Sequence, residues 1–459
     1  MTTRPSSSAE MSASPAAGTD QPAGGRSTNR AWGVTIAVTA FMAINFADKS
    51  VIGLAADPLR EELDLTASQF GLAGSVFFLL FGVFGIIGGF IGNRVRPTRI
   101  LMVMAVAWGA ALLPLVLLPS FATLLFSRII LGAAEGPALP LGIHTVHKWF
   151  PESRRPVPTS MVLVGASLGV GISAPVLGYV ISAHGWRAAI WILVGLSVVW
   201  AAVWTFVGKE GPFDTYGAAD DLDNDDHDHD DHDTEAVAAE ELHIPYRRIL
   251  ASSAWWGSLL SIGPGFCAFA LFSVWAPSYF SQGYGFSSTL VGAAVGATAV
   301  CAIIFQLGTG VLSARLVRDG VDTRWARGGL AGAAVLAGGL CLTVGMLLGF
   351  SPVGAGLLVL GVALCNSTNP ISFLSISEIS PVKQRSAIMA IYNSVMTTGG
   401  AAAPLVAGLL VDRAATEADG YRQAFLLFGV IAIVGGLIGA VVTNPSRDAR
   451  RLGLRTSAT

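Results

Sequence analysis

The sequence is dominated by long apolar runs, each close to the length that a helix needs to cross a lipid bilayer. One crossing takes about 20 residues, and the runs do not alternate with the period of two that marks a membrane β-barrel. We predict twelve spans, at residues 31–55, 70–92, 100–118, 121–148, 157–183, 187–207, 254–281, 288–312, 328–349, 352–379, 385–411 and 421–443. Only 13% of the 459 residues are charged, against roughly a quarter in a soluble domain. The pattern predicts an all-α polytopic membrane protein and excludes a cytosolic enzyme, a disordered regulator and a nucleic-acid binder.

A polar region between spans six and seven divides the spans into two groups of six. Its centre, residues 220–233, is rich in Asp and His and of low complexity, which is typical of a solvated linker. We therefore expect five regions: a disordered tail at 1–30, a six-helix bundle at 31–207, an acidic linker at 208–249, a second bundle at 250–445 and a short tail at 446–459.

The distribution of basic residues predicts the orientation of the chain. With the N-terminus in the cytoplasm, 22 of the 28 Lys and Arg residues fall on the cytoplasmic side, 4 fall outside and 2 lie within spans. Cytoplasmic loops of membrane proteins carry such an excess of positive charge. We expect a multi-pass protein of the cell membrane with both termini and the linker in the cytoplasm.

The two groups of six spans repeat each other's motifs in the same order. Each motif of the first half has a counterpart in the second: Gly89–Arg94 with Gly310–Arg315, Pro151–Arg155 with Pro381–Arg385, Ala174-Pro175 with Ala403-Pro404, and Trp186-Arg187 with Tyr421-Arg422. Two six-helix repeats around a central site are the architecture of transporters that alternate between two open states.

Small residues at four-residue spacing predict close helix contacts in the first half. Gly132 and Gly136 form one such pair in span four, and Gly165 and Gly169 form another in span five. Glycine at this spacing allows a neighbouring backbone to approach closely. Pro137 follows directly and is expected to distort span four, since proline lacks the amide hydrogen that a helix requires.

Several motifs resemble one known family. They are RIILGAAEGP from Arg128, WFPESR from Trp149, Asp48-Lys49 in span one and the segment Trp275–Tyr279 in span seven. Together they resemble the major facilitator superfamily, and within it the anion:cation symporter branch of sugar-acid permeases and sialin-like carriers. The resemblance covers residues 31–445 and implies a major facilitator fold of two pseudo-symmetric halves.

The resemblance also implies gating residues, with some departures from the family pattern. The superfamily signature after span two places gating at Asn93 and Arg94, and its repeat places it at Arg315. Asn93 stands where the signature usually has Asp. In span one, Lys49 and Phe46 replace the Arg and the hydroxyl-bearing aromatic residue that the branch often carries.

Four charged residues lie inside predicted spans: Asp48, Lys49, Arg128 and Glu135. Each charge costs at least ~2.5–3.5 kcal/mol at bilayer depth, so each needs a partner or a function. Arg128 and Glu135 are seven residues apart and project from one helix face. We expect Arg128 and Lys49 to bind a substrate carboxylate, and Asp48 and Glu135 to carry protons. The alternative is a buried ion-pair network that holds spans one and four together.

Polar residues in the second half supply further candidates for substrate contact. They are Tyr279 in span seven, Gln306 in span eight, Asn369 in span ten and Asn393 in span eleven. Such side chains bind substrate hydroxyls in some proteins and join helices in others. Tyr279 has the further alternative of anchoring its helix at the membrane interface.

We conclude that the sequence predicts proton-coupled uptake of an organic anion, a carboxylate or sulfonate, by alternating access. The predicted partners are that anion, protons and the lipid bilayer, with the protein acting as a monomer and without a cofactor or nucleic acid. The alternatives are an exporter of drugs or metabolites, and a metal-ion carrier that uses the Asp/His tract. A membrane-embedded enzyme is disfavoured because no nucleophile–base motif, HExxH motif or phosphate loop is present.

Overall fold

The computed structural model describes residues 26–92, 95–151, 154–212, 244–381 and 384–454. These residues form helices joined by short turns, and no strand occurs among them. Within these ranges, twelve helical segments are long and apolar enough to cross a membrane. The predicted all-α fold with two groups of six spans is confirmed. The acidic linker lies largely outside the described ranges, so the predicted boundaries of the five regions stay a prediction.

The helices of the first half are α1 (Arg26–Leu54), α2 (Ala56–Glu62), α3 (Ala67–Gly92), α4 (Pro97–Leu117), α5 (Phe121–Glu135), α6 (Ala138–His147), α7 (Pro156–His184) and α8 (Trp186–Val207). Those of the second half are α9 (Tyr246–Leu250), α10 (Ser253–Ser278), α11 (Ser288–Arg318), α12 (Leu330–Leu347), α13 (Pro352–Asn366), α14 (Asn369–Glu378), α15 (Arg385–Gly400), α16 (Ala402–Arg413), α17 (Glu417–Val442) and α18 (Pro445–Arg451). Short π-helical turns follow α10 at Tyr279–Gly283 and precede α12 at Arg324–Gly329.

The helix ends differ from the predicted spans by a few residues, most clearly at α11. The apolar run ends near residue 312, but the helix continues to Arg318. Arg315 and Arg318 occupy its last turn, where positive charge interacts favourably with the helix dipole. Apolar content therefore predicts the part of a helix that crosses lipid, while backbone hydrogen bonding carries the helix further into water.

Three of the twelve spans are broken into two helices. Span four breaks between α5 and α6 at Gly136-Pro137, and span ten breaks between α13 and α14 at Ser367-Thr368. Span eleven breaks at Ala401. Spans four and ten hold the same position in the two repeats. Interrupted helices at matching positions mark the binding region in transporters built from repeats.

Close glycine contacts hold the first half together. A Cβ atom at Gly132 would lie 2.5 Å from the carbonyl oxygen of Phe77 in α3, and one at Gly136 would lie 2.3 Å from that of Phe81. Gly165 and Gly169 of α7 meet the backbone of α1 in the same way, at 2.4 and 2.5 Å from carbonyl oxygens. The close approach predicted from the spacing of these four glycines is confirmed.

Polar contacts between the two halves cluster at the end of the bundle that carries α2, called here the α2 end. Arg60 of α2 donates to both carboxylate oxygens of Glu417 in the second half, at 2.8 and 3.0 Å. Asp412 accepts from the first backbone amides of α3, those of Ala67 and Ser68, at 2.9 Å each. A carboxylate from one half thus caps a helix of the other, with the favourable sign for the helix dipole.

Backbone contacts at glycine close the same end. A Cβ atom would lie 2.1–2.4 Å from a carbonyl oxygen of the opposite half at each of five glycines, which are Gly53, Gly71, Gly178, Gly292 and Gly408. Farther from the α2 end, an apolar cleft of about 350 Å³ lies on the surface where α3 meets α15. The cleft is lined by Val83, Ile86, Ile87, Ser394, Val395 and Thr398. The structure is therefore a state in which the α2 end is closed.

We expect Gly178→Val to weaken closure of the α2 end. The new side chain would collide with the carbonyl oxygen of Ser288, which lies 2.4 Å from the Cβ position. Cysteines at Asp57 and Gln282, whose side chains are hydrogen-bonded across the halves at 3.1 Å, report closure through cross-linking by a short bis-thiol reagent. The four native cysteines are replaced by alanine in this experiment.

The matched control is Gly195→Val, because no atom lies within 4 Å of the Cβ position at Gly195. We expect cross-linking to fall several-fold in Gly178→Val and to stay at the starting level in Gly195→Val. Equal cross-linking in both variants would show that the glycine contacts do not control closure.

Candidate functional site

The structure brings the four charged residues of the spans into one buried cluster in the first half. Asp48 and Lys49 come from α1, and Arg128 and Glu135 come from α5. Asp48, Arg128 and Glu135 are 0–3% exposed, and the Lys49 side chain is 6% exposed. Glu135 is the last residue of α5, so the cluster lies beside the break in span four.

Lys49 and Glu135 form an ion pair inside this cluster. The Lys49 Nζ atom lies 2.9 Å from Glu135 Oε2, and it also donates to Asn45 Oδ1. The carboxylate on α5 therefore pairs with the lysine of α1 rather than with Arg128 on its own helix. Asn45 was not predicted as a site residue. Its spacing of four residues from Lys49 is the sequence signal that could have indicated it.

Arg128 and Asp48 keep polar atoms without hydrogen-bond partners in the part of the chain that the structure describes. These atoms are Nε and Nη2 of Arg128 and both carboxylate oxygens of Asp48. Buried polar groups are nearly always hydrogen-bonded, and leaving one unpaired costs roughly 1–3 kcal/mol or more. Two buried guanidinium donors without partners form a ready site for an anion with two acceptor oxygens.

Phenylalanine rings surround the two cations. Lys49 Nζ lies 4.0 Å from the ring centroid of Phe46 and 4.9 Å from that of Phe81. The Arg128 guanidinium lies 5.6 Å from the ring centroid of Phe77. Cations are attracted to aromatic faces at these distances. Phe77 and Phe81 belong to α3, a helix that sequence reasoning did not connect with the site.

Two of the predicted polar residues of the second half stabilise the break in span ten. Gln306 Nε2 and Asn369 Nδ2 each donate to the backbone carbonyl of Asn366, at 3.2 Å. Asn366 is the last residue of α13, so this carbonyl lies where the helix ends. The contacts favour the helix-joining alternative for Gln306 and Asn369 over substrate contact.

The other two polar candidates have different environments. Tyr279 is fully buried, with its ring centroid 5.5–5.7 Å from those of Tyr284, Phe350 and Phe425 in the second half. This aromatic cluster favours a packing role for Tyr279. Asn393 lies on α15, is half-buried and makes no side-chain hydrogen bond to any residue that the structure describes. Of the four predicted candidates in the second half, it is the one whose amide remains free to contact a ligand.

The predicted gating residues and the metal-binding alternative are largely outside the described ranges. Asn93, Arg94 and the Asp/His tract at 220–233 belong to the parts that the structure does not describe. Arg315 is described and is exposed in the last turn of α11. Within the described ranges, no group of three or more His, Cys, Asp and Glu residues is placed to hold a metal ion. The gating roles stay predictions.

The sequence matches a family model over nearly its whole length. The model describes the Major Facilitator Superfamily and matches residues 38–366 and 333–457. The chain belongs to the major facilitator superfamily. It is a multi-pass membrane transporter and not an enzyme, as predicted.

Curated relatives of this superfamily member are named as transporters of organic acids. A probable sulfoacetate transporter from Cupriavidus necator is 27% identical over 410 residues, covering 89% of this chain and 93% of the relative. A hexuronate transporter from Bacillus subtilis is 25% identical, covering 86% and 90%. A D-galactonate transporter from Escherichia coli is 24% identical, covering 89% and 94%. The predicted resemblance to sugar-acid permeases is confirmed.

Solved structures share the fold at low sequence identity. A bacterial homologue of the human lysosomal transporter Spinster, in an inward-facing and unoccupied conformation, matches with a TM-score of 0.74 and 16% identity. The match covers 94% of this chain and 99% of that one. A D-xylose–proton symporter matches with a TM-score of 0.69 and 16% identity, covering 91% and 99%. These similarities support the fold and carry no information on the substrate.

We expect Lys49→Met to destabilise the protein strongly, because it leaves the buried Glu135 carboxylate without its cation. Removing one partner of a buried ion pair costs about 3–5 kcal/mol, whereas replacing both partners with apolar residues costs much less. The free energy of unfolding, measured by titration from mild detergent into sodium dodecyl sulfate, should therefore recover in the double variant Lys49→Met/Glu135→Leu.

The control for this pair is Arg187→Met. Arg187 and Glu62 are also paired, through a hydrogen bond of 2.7 Å, but their side chains are 42% and 37% exposed. An exposed pair contributes about 0–1 kcal/mol. A loss in Lys49→Met no larger than that in Arg187→Met would contradict a stabilising role for the buried pair.

Proposed function

We propose that the protein is a secondary active transporter that takes up a small organic anion together with protons. The observation that carries the proposal is that two buried groups of the Arg128 guanidinium, Nε and Nη2, have no hydrogen-bond partner among the described residues. Lys49 belongs to the same cluster through its ion pair with Glu135. A planar guanidinium can hold a carboxylate or sulfonate through two parallel hydrogen bonds. The names of the relatives support this class, since sulfoacetate, hexuronate and galactonate are all organic anions.

Proton coupling follows from the competition between two anions for one lysine. In the described state Glu135 holds the Lys49 ammonium at 2.9 Å. A substrate carboxylate entering the cluster adds a second negative charge in a buried setting, where like charges repel strongly. Protonation of Glu135 or Asp48 removes that repulsion and releases Lys49 to the substrate. Release of the proton and of the substrate on the same side then restores the ion pair.

The direction of access follows from the closed α2 end combined with the distribution of basic residues. The excess of Lys and Arg predicts that the end carrying the chain termini is cytoplasmic. The α2 end is then the outer face, and the described state is closed to the outside. We place the transporter in the cell membrane as a monomer, with both termini in the cytoplasm. Separation of the halves at the α2 end completes the transport cycle.

We expect Arg128→Gln to weaken anion binding by roughly 10- to 100-fold. A hydrogen bond to a charged group contributes about 1.5–3 kcal/mol, and the glutamine cannot provide the charged fork. Binding is measured on the purified protein as the rise in unfolding temperature with sulfoacetate, glucuronate, galactonate and benzoate, since a ligand of the folded form stabilises it.

The matched control is Arg318→Gln, at the exposed end of α11. It should keep the affinity of the unmodified protein. Stabilisation of Arg128→Gln by the same acid at the same concentrations would remove Arg128 from the binding site and with it the main support for the proposal.

We expect Glu135→Gln to abolish accumulation driven by a pH gradient while it preserves exchange of labelled substrate across proteoliposomes. The neutral side chain imitates a permanently protonated Glu135, so binding and alternation continue but protons no longer move. Asp48→Asn is measured in parallel to assign the second carboxylate.

Glu62→Gln serves as the control for the coupling experiment, because Glu62 is an exposed carboxylate at the end of α2. Its accumulation should match that of the unmodified protein. Undiminished accumulation in both Glu135→Gln and Asp48→Asn would rule out coupling through these carboxylates.

A further inference from the structure

A chain of phenylalanine rings runs from the charged cluster to the second half of the protein. Phe77 lies beneath the Arg128 guanidinium, and its ring centroid is 5.2 Å from that of Phe78. The Phe78 centroid is 5.8 Å from that of Phe266 in α10, which in turn is 5.7 Å from that of Phe269. The aromatic surface that begins at the cations of the first half therefore continues across the interface with the second half.

Four of the rings associated with the cluster are only partly buried. These are Phe46 and Phe81 in the first half and Phe266 and Phe269 in the second. Phe46 and Phe81 are the rings that lie over Lys49. A phenyl ring offers no hydrogen-bond donor or acceptor, so a hydroxyl group that leaves water to lie against it loses its partners and costs free energy.

Two of the amides that the sequence put forward for binding substrate hydroxyl groups are engaged elsewhere. Gln306 and Asn369 both donate to the backbone at the break in span ten. Tyr279 is buried within its own aromatic cluster in the second half. Among the four polar residues that the sequence put forward for substrate contact, Asn393 keeps a free amide, which can pair with only one or two hydroxyl groups of a sugar acid.

We infer that the transported anion has an apolar body with few or no hydroxyl groups, and that Phe46, Phe81, Phe266 and Phe269 select for it. The inference rests on the proposed function and narrows its substrate class. The charged head binds at Arg128 and Lys49, and the body lies against the rings. Phenyl and short alkyl carboxylates or sulfonates fit this description, whereas hexuronates and aldonates do not.

The size of the expected preference follows from how strongly an apolar pocket discriminates between ligands with and without a hydroxyl group. An apolar pocket rejects an added hydroxyl group by only about 100-fold, whereas a pocket built to bind a hydroxyl rejects the analogue that lacks it by about 10⁴-fold or more. We therefore expect a graded preference of about 10- to 100-fold for the hydroxyl-free member of a matched pair of acids.

The test compares phenylacetate with mandelate, which differ by one hydroxyl group, and includes glucuronate as a polyhydroxylated acid. The full-length protein in proteoliposomes is assayed for uptake of labelled phenylacetate and for inhibition by the other two acids. Dissociation constants come from the thermal stabilisation of the purified protein. Phenylacetate should bind 10- to 100-fold more tightly than mandelate, and glucuronate should bind most weakly.

Two phenylalanine variants test whether the rings cause the preference. Phe46→Tyr adds a hydroxyl group beside Lys49 and should narrow the difference in affinity between phenylacetate and mandelate. Phe206→Tyr makes the same change at a ring that is 81% exposed at the end of α8, and it should leave the difference unchanged. If Phe46→Tyr does not fold, the preference of the unmodified protein decides the question.

The possible failures separate the inference from the function on which it rests. Tighter binding of glucuronate or mandelate than of phenylacetate, or equal binding of the three, overturns the inference and leaves organic-anion transport standing. Failure of all three acids and of sulfoacetate to bind or to be taken up overturns the proposed function, and the inference with it.

Discussion

The buried ion pair between Lys49 and Glu135 is the interaction on which the arrangement of the first half depends. It joins α1 to the end of α5, at the point where span four breaks. A charge inside a membrane-spanning bundle is costly unless it has a partner or faces a water-filled cavity. The pair thus fixes the position of α1 relative to the end of α5. It also leaves Arg128 with donors that no other described residue uses.

The interface between the two halves combines close backbone contacts with hydrogen bonds from side chains. Glycines let carbonyl oxygens of the opposite half approach at the α2 end, and Arg60 and Asp412 add directional polar contacts there. Such an interface has little room for intermediate arrangements, since a small displacement breaks the hydrogen bonds and opens gaps in tight packing. A bundle of this kind favours two discrete states over continuous deformation.

Charge is distributed unequally between the two pseudo-symmetric halves. The first half holds the cations and carboxylates buried at the break in span four, while the matching break in the second half is lined by the neutral residues of span ten. The amides around that break satisfy the exposed carbonyl of Asn366. The same structural device, an interrupted helix, therefore forms an ionic site in one repeat and a neutral helix junction in the other.

The sequence by itself determined the twelve spans, the two repeats, the family and the four charged residues of the site. Each of these is a local property: an apolar run, a repeated motif or a costly charge is visible without knowing its neighbours. Only the tertiary structure decided that Glu135 pairs with Lys49 instead of Arg128, that Phe77 and Phe81 cover the cations, and that the α2 end is closed. These features depend on distances between helices. Those distances are set by the packing of segments that are far apart in the chain, so residue spacing within one segment does not reveal them.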